Sequence, residues 1–255
     1  MRRGTSVTEH CHYIEEVKLN KALPKSSYLS KLPAVKNLSK LESIAFDSDV
    51  TFIVGENGSG KSTLLEAIAV AAGFNPEGGT KNYNFGTYDS HSELSEYITL
   101  SRGAYPQDGF FLRAESFYNA ASYIEEIDAV PMPLPKVIES CGGVSLHEQS
   151  HGESFLAVIK NRFGGDGLYI LDEPEAALSP TGIMSLMVVM HDLAEKNSQF
   201  IISTHSPILT AYPNALIYEL TESGINPTPY KETGNYIITK RFLNDPEKMI
   251  KKLFE

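Results

Sequence analysis

Residues 50–63 read Val50-Thr51-Phe52-Ile53-Val54-Gly55-Glu56-Asn57-Gly58-Ser59-Gly60-Lys61-Ser62-Thr63, an apolar run followed by a glycine-punctuated turn and a lysine. The run has the β-branched and aromatic content of a buried strand. Gly55 to Thr63 fits the phosphate-binding pattern G-x-x-x-x-G-K-[ST] at every fixed position. In that pattern the glycines let the backbone curl until successive N–H groups point at phosphate oxygens. The lysine adds a point charge for the β- and γ-phosphates, and the next hydroxyl, Ser62, ligates Mg²⁺. Apolar residues at 64, 65, 68, 69 and 72 mark a helix whose N-terminal dipole faces the anion. Gly73 fits its C-cap, with Pro76 just beyond. A glycine turn arising by accident would not bring its own strand and amphipathic helix. Gly55, Glu56, Asn57, Gly58, Ser59, Gly60, Lys61, Ser62 and Thr63 are therefore expected to hold a nucleoside triphosphate.

The chain around this stretch has 255 residues, 42% hydrophobic and 21% charged, enough for one large α/β domain and ordinary for a globular protein. Lys plus Arg number 22 against 32 Asp plus Glu, a formal charge of −10, so the basic footprint of an autonomous nucleic-acid binder is absent. Lys240, Arg241, Lys248, Lys251 and Lys252 gather near the C-terminus and read as the solvated face of a terminal helix. Met1-Arg2-Arg3 is followed by polar residues rather than a signal-peptide core. The most apolar stretches, 64–74 and 183–190, are too short to cross a bilayer. The expectation is a cytoplasmic protein without membrane insertion. Cys11 and Cys141 show no metal-ligand spacing and suit a reducing compartment.

Along the chain, 13–19 and 43–46 read as strands leading into 50–54. Residues 75–90 read as a long loop, and 97–100 with 110–113 as a hairpin around Gly103–Gly109. Helices are expected over 116–129, 152–163 (closed by Gly164-Gly165), 183–197 and 246–255, the last capped by Asn244 or Asp245. Short apolar runs at 168–171, 199–203 and 215–220 have the composition of strands covered on both faces. Strands alternating with helices give an α/β class, a mostly parallel sheet with flanking helices. The organisation expected is a single domain, its core about 1–114 and 166–255 and a helical lobe about 115–165.

The apolar run 168–171 ends in Asp172-Glu173, placing two carboxylates at the C-terminal edge of a parallel sheet, where ligands bind. Asp172 suits Mg²⁺ coordination, and Glu173 projects differently and suits polarising the water that attacks a γ-phosphate. Pro174 after them also fits a plain helix start. Ser203-Thr204-His205-Ser206-Pro207 ends the next buried run, Gln149-Ser150-His151-Gly152-Glu153-Ser154 precedes Asp172, and Ala177-Leu178-Ser179-Pro180 follows Glu173.

In this order the motifs resemble the ABC class of P-loop ATPases: Walker A at 55–63, a signature motif at 149–153, Walker B with its catalytic glutamate at 168–173, a D-loop at 177–180 and a switch histidine at 205. The Gly-Glu-Asn-Gly-Ser-Gly-Lys-Ser form is similar to that of small stand-alone ATPases labelled AAA family, whose sites resemble RecF and SMC proteins. The likeness spans residues 50 to 210. The signature departs from Leu-Ser-Gly-Gly-Gln, keeping only the serine and second glycine. Glu115, in Phe111-Leu112-Arg113-Ala114-Glu115-Ser116, stands where a Q-loop glutamine belongs. It is either that loop's metal-side residue or a salt-bridge partner of Arg113 or another base.

The resemblance implies an ATPase using ATP and Mg²⁺, with Ser62, Asp172 and Glu115 on the metal side and Glu173 and His205 catalytic. It further implies an ATP-dependent homodimer in which Ser150, Gly152 and Glu153 cap the γ-phosphate held by the other copy. Repair, genome defence or partner remodelling are the expected tasks, with a protein partner supplying any nucleic-acid contact. Two alternatives stand beside this: the nucleotide-binding subunit of a membrane transporter, for which Tyr28 is a weak adenine-stacking candidate, and a nucleotide-binding scaffold that does not hydrolyse.

Overall fold

The computed structural model describes residues 12–24, 26–76, 78–79, 92–114 and 151–255, with only the backbone of His151. Its centre is a six-stranded sheet. β3 (Val50–Gly55), β5 (Asp108–Arg113), β6 (Gly167–Asp172), β7 (Gln199–Ser203), β8 (Leu216–Leu220) and β9 (Ile225–Pro227) lie in the order β5-β6-β7-β3-β8-β9. The first five run parallel and β9 closes one edge antiparallel. A second, antiparallel sheet has β1 (Glu16–Leu19) between β2 (Ile44–Ala45) and β4 (Ile98–Ser101).

Alternation along each strand sends side chains to opposite faces. Ile53, Phe111, Ile170 and Ile201 face a cluster shared with Leu64, Leu65 and Ile68 of α2 (Lys61–Ala72) and with Val17, Ile44 and Ile98 of the small sheet. Phe52, Leu112, Leu171 and Ile202 face the opposite cluster. It is filled by Phe155 and Ile159 of α3 (His151–Arg162) and by Leu186 and Met190 of α4 (Pro180–Ala194). Every residue of β3, β6 and β7 is buried, which is why apolar residues follow one another along them rather than alternating with polar ones. Gln199, 2% exposed, ties the sheets together: its Oε1 accepts the Ile14 N–H at 2.9 Å and its Nε2 donates to the Ile14 carbonyl at 2.8 Å.

The strand expectations over 50–54, 168–171, 199–203 and 215–220 all correspond to strands, and α2 ends at Gly73, whose N–H reaches the Ala69 and Val70 carbonyls. The expected hairpin does not form. β4 pairs with β1, and β5 pairs in parallel with β6, because both faces of 111–112 are apolar and need cover that an exposed hairpin lacks. The helix expected from 183 begins earlier, at Pro180, since the Ser179 hydroxyl caps it by accepting the Gly182 N–H at 3.1 Å. The helix expected over 116–129, Cys11, Cys141 and most of the 75–90 loop lie outside the described residues.

Among the described strands and α-helices, α1 (Pro33–Leu38), β9 and α5 (Gly234–Asn244) had no expectation. α6 (Pro246–Phe254) follows, capped by Asp245, whose Oδ1 accepts the Lys248 N–H at 3.1 Å. Among the described residues no helix is long and apolar enough to cross a membrane.

Because Phe111 is 0% exposed between β6 and α2, Phe111→Ala should cost about 3–5 kcal/mol. Urea denaturation measures this, and a loss below about 1 kcal/mol would contradict the burial on which β5's place rests.

Candidate functional site

A parallel sheet delivers the C-terminal ends of its strands to one edge. Here β3 ends at Gly55, β6 at Asp172 and β7 at Ser203. The turn after β3 needs its glycines. Gly55 has φ +152 and a Cβ there would stand 2.5 Å from the Leu220 carbonyl, while Gly58 has φ +77 with nothing within 4 Å of the Cβ position. From the outside α1 fastens this turn, the Ala34 N–H donating to the Ser59 carbonyl at 2.9 Å.

Lys61 opens α2 but its side chain folds back over the turn, Nζ donating to the carbonyls of Gly55 at 3.0 Å and Glu56 at 3.1 Å. It is 4% exposed. Burial pushes its ammonium below the usual lysine range, and the negative charges of Glu173, Asp172 and Glu175 oppose that shift. Ser62 and Thr63 occupy the same first turn, half-buried, while Glu56, Asn57 and Gly58 are exposed on the turn itself.

Asp172 is buried at the end of β6, in register with Arg113 of β5 and Ser203 of β7. The Ser203 hydroxyl donates to its Oδ1 at 2.5 Å, and the Arg113 Nε lies 3.6 Å from its Oδ2. Arg113 also donates from Nη1 to Oε2 of Glu66 on α2 at 2.8 Å, and Glu66 accepts the Ser92 N–H at 2.8 Å through Oε1. Glu173 turns into the left-handed region (φ 49°, ψ 51°). Its N–H still bonds to the Ser203 carbonyl at 3.1 Å, and its Oε1 lies 3.5 Å from Nε2 of His205. The His205 N–H donates to the Glu175 carboxylate, and its carbonyl accepts from Nδ2 of Asn235 at 3.1 Å.

The structure therefore brings Lys61, Asp172, Glu173 and His205 to one edge of the sheet: Glu173 and Asp172 act electrostatically on the Lys61 ammonium, and His205 lies against Glu173. Gly152 and Glu153 sit elsewhere. With Leu156 of α3 and Ala177, Leu178 and Ser179 they line a pocket of about 430 Å³ to which no residue of 55–63 contributes. Ser150 and Glu115 lie outside the described residues. Arg113, weighed in the sequence only as a partner for Glu115, instead faces Asp172 and Glu66. The sequence assigns no role to Glu66, and Ser203 enters there only as the first residue of the 203–207 motif. One signal for Glu66 was available, a lone carboxylate in the apolar helix KSTLLEAIAVAA, which cannot be buried without a partner.

The residues present fit magnesium. Ser62 and Asp172 offer hard oxygen donors, and Mg²⁺ beside a nucleotide takes one or two protein oxygens, with phosphates and waters completing the octahedron. No group of three or more His, Cys, Asp or Glu that could hold a metal occurs among the described residues.

Comparison with known proteins finds the following similarities. The family model described as "AAA domain" matches residues 32–125, and that described as "AAA domain, putative AbiEii toxin, Type IV TA system" matches 144–211. The galactose/methyl galactoside import ATP-binding protein MglA 2 of Photobacterium profundum is 24% identical over 207 residues, covering 73% of this chain and 39% of that protein. The chain spans well under two thirds of the curated relatives it matches, 23%, 39% and 40% of the first three. Among solved structures, cbiO1 of Clostridium perfringens, part of the ABC transporter complex cbiONQ, has TM-score 0.49 at 21% identity, covering 92% of this chain and 96% of its own. The SMC head domain of Thermotoga maritima has TM-score 0.44 at 18% identity, covering 85% and 99%. By its phosphate turn, its carboxylate-ended neighbouring strand, its two AAA-domain matches and its ATP-binding relatives, the chain is similar to the ABC-class P-loop ATPases.

Proposed function

We propose that this ATPase is an Mg²⁺-dependent switch that closes as a homodimer on ATP and reopens on hydrolysis. One observation carries the reading: the buried Lys61 ammonium and the carboxylates of Asp172 and Glu173 share one corner at the mouth of the glycine turn. With ATP bound, the N–H groups of 55–63 cradle the phosphates, and Lys61 exchanges the Gly55 and Glu56 carbonyls for β- and γ-phosphate oxygens. Ser62 and Asp172 hold Mg²⁺, whose charge offsets that of the phosphates. Glu173 accepts a proton from the attacking water, and His205, 3.5 Å from it, steadies the γ-phosphate side. Glu115 joins the metal side by resemblance alone.

The separate pocket at Gly152 and Glu153 supports the dimer. Gly152 and Glu153, which resemble a γ-phosphate cap, share their pocket with no residue of 55–63, so a second copy is the simplest recipient. ATP then bridges two states through differential binding. The toxin-system wording of one matching family model supports a defence task. A second reading, the ATP-binding subunit of a transporter, is favoured by the names of the curated relatives. Recovery of an integral membrane permease with the purified protein would select it.

Glu173→Gln should lower hydrolysis about 100-fold or more and trap an ATP-bound dimer, read by phosphate release and by size exclusion with light scattering. Hydrolysis at the parental rate would remove Glu173 from the base position. The two glycines separate folding from binding. Gly58→Ala meets open space and should cost only about 1–2 kcal/mol of backbone strain while weakening nucleotide binding. Gly55→Ala adds the collision with the Leu220 carbonyl at 2.5 Å and should lose more stability than Gly58→Ala. Thermal melts and fluorescent-nucleotide titration measure both, and equal melting losses would refute the distinction.

A further inference from the structure

Asp172 is 6% exposed, and a buried carboxylate needs a compensating charge. Its Oδ1 has the Ser203 hydroxyl at 2.5 Å, whereas its Oδ2 has the Arg113 Nε at 3.6 Å. A charge-assisted N–H···O bond is about 2.7–2.9 Å long, so Arg113 neutralises Asp172 without being bonded to it. The same guanidinium is tightly held on its other side, Nη1 to Glu66 at 2.8 Å. Its Nε is buried and makes no hydrogen bond. Of its two carboxylate neighbours, Arg113 hydrogen-bonds only Glu66. Glu66 is itself fixed, by α2 and by the Ser92 N–H at 2.8 Å, so Arg113 keeps a partner whatever happens at Asp172.

Resting on the reading of Asp172 as a ligand of Mg²⁺, we propose that Arg113 is a built-in counter-ion that competes with the divalent cation for Asp172, and so sets the Mg²⁺ concentration the nucleotide site requires. Glu66 is the tether onto which the guanidinium retreats when the cation arrives. Arg113 is thus a positioning residue, acting through Asp172 rather than on the nucleotide.

Competition and simple support predict opposite signs. If Arg113 only props Asp172, removing it loosens the carboxylate and weakens metal binding. If it competes, removing a positive charge beside Oδ2 strengthens metal binding. The probe is Mn²⁺, followed by the electron paramagnetic resonance signal of the free ion during titration of the full-length protein with ATP. R113A should bind Mn²⁺ about 3- to 10-fold more tightly, a modest effect for one unit charge at a partly screened site. R113K, which keeps the charge, should stay within about twofold of the parent. R113Q keeps a polar side chain of similar reach without the charge and should follow R113A; it stands in should R113A not fold. Unchanged or weaker Mn²⁺ binding in R113A or R113Q, with D172N clearly weakened, overturns the proposal alone. Parental Mn²⁺ binding in D172N overturns the assignment of Asp172 to the metal and the proposal with it.

Discussion

A buried ammonium is the constraint around which this site is organised. Lys61 sits 4% exposed at the start of α2, and taking a cation out of water is costly unless charges and acceptors replace the lost solvent. Two carbonyls of its own turn accept its protons. Three carboxylates, Glu173, Asp172 and Glu175, oppose the loss of its charge. The acids come from the end of β6 and the turn after it, so they stand near the ammonium because β3 and β6 present their C-terminal ends to the same edge. Parallel pairing through β7 achieves this. Electrostatics at the loop and topology of the sheet are one requirement.

That requirement reaches the core through α2. Its residues Leu64, Leu65 and Ile68 fill the space between the parallel sheet and the small antiparallel one, so the helix that carries Lys61 is clamped from two sides. Glu66, on the same helix, spans to Ser92 in front of β4 and to Arg113 at the end of β5. Asp172, Arg113 and Glu66 thus form a run of contacts from the end of β6 to α2. The other face is filled by α3 and α4, and the pocket at Gly152 and Ser179 lies beside those two helices.

What the sequence disclosed was governed by distance along the chain. The glycine turn, the strand before it and the helix after it are local, and 50–73 folds as its residue spacing indicates. The buried strands 168–171 and 199–203 were legible because full burial leaves an uninterrupted apolar run. Pairing partners were not legible: β4 and β5 are neighbours in sequence, yet belong to different sheets, since β1 and β6 compete for them with better-matched surfaces. Arg113 was hidden for the same reason. Its partners lie 47 residues before it and 59 after it, at Glu66 and Asp172, and no local pattern encodes such a triad. α5 buries no residue, so it carries no core stripe for periodicity to detect, and α1 is too short to show one.

The adjacent acids Asp172 and Glu173 show how a single backbone turn divides labour. In an extended strand, consecutive side chains point to opposite faces, which would carry Glu173 away from the edge Asp172 occupies. Instead Glu173 adopts φ 49° and ψ 51° just before Pro174, a conformation costing about 1 kcal/mol or more for a residue with a Cβ. Its N–H remains bonded to the Ser203 carbonyl and hydroxyl at 3.1 and 3.2 Å, so the turn is held by the neighbouring strand. The outcome is a pair with unequal surroundings: the Asp172 side chain is 8% exposed and the Glu173 side chain 34%. A carboxylate enclosed by Ser203 and Arg113 has its charge focused on whatever cation reaches it. One a third open, facing His205, can meet a water molecule. The strain at residue 173 is what lets one strand end supply both.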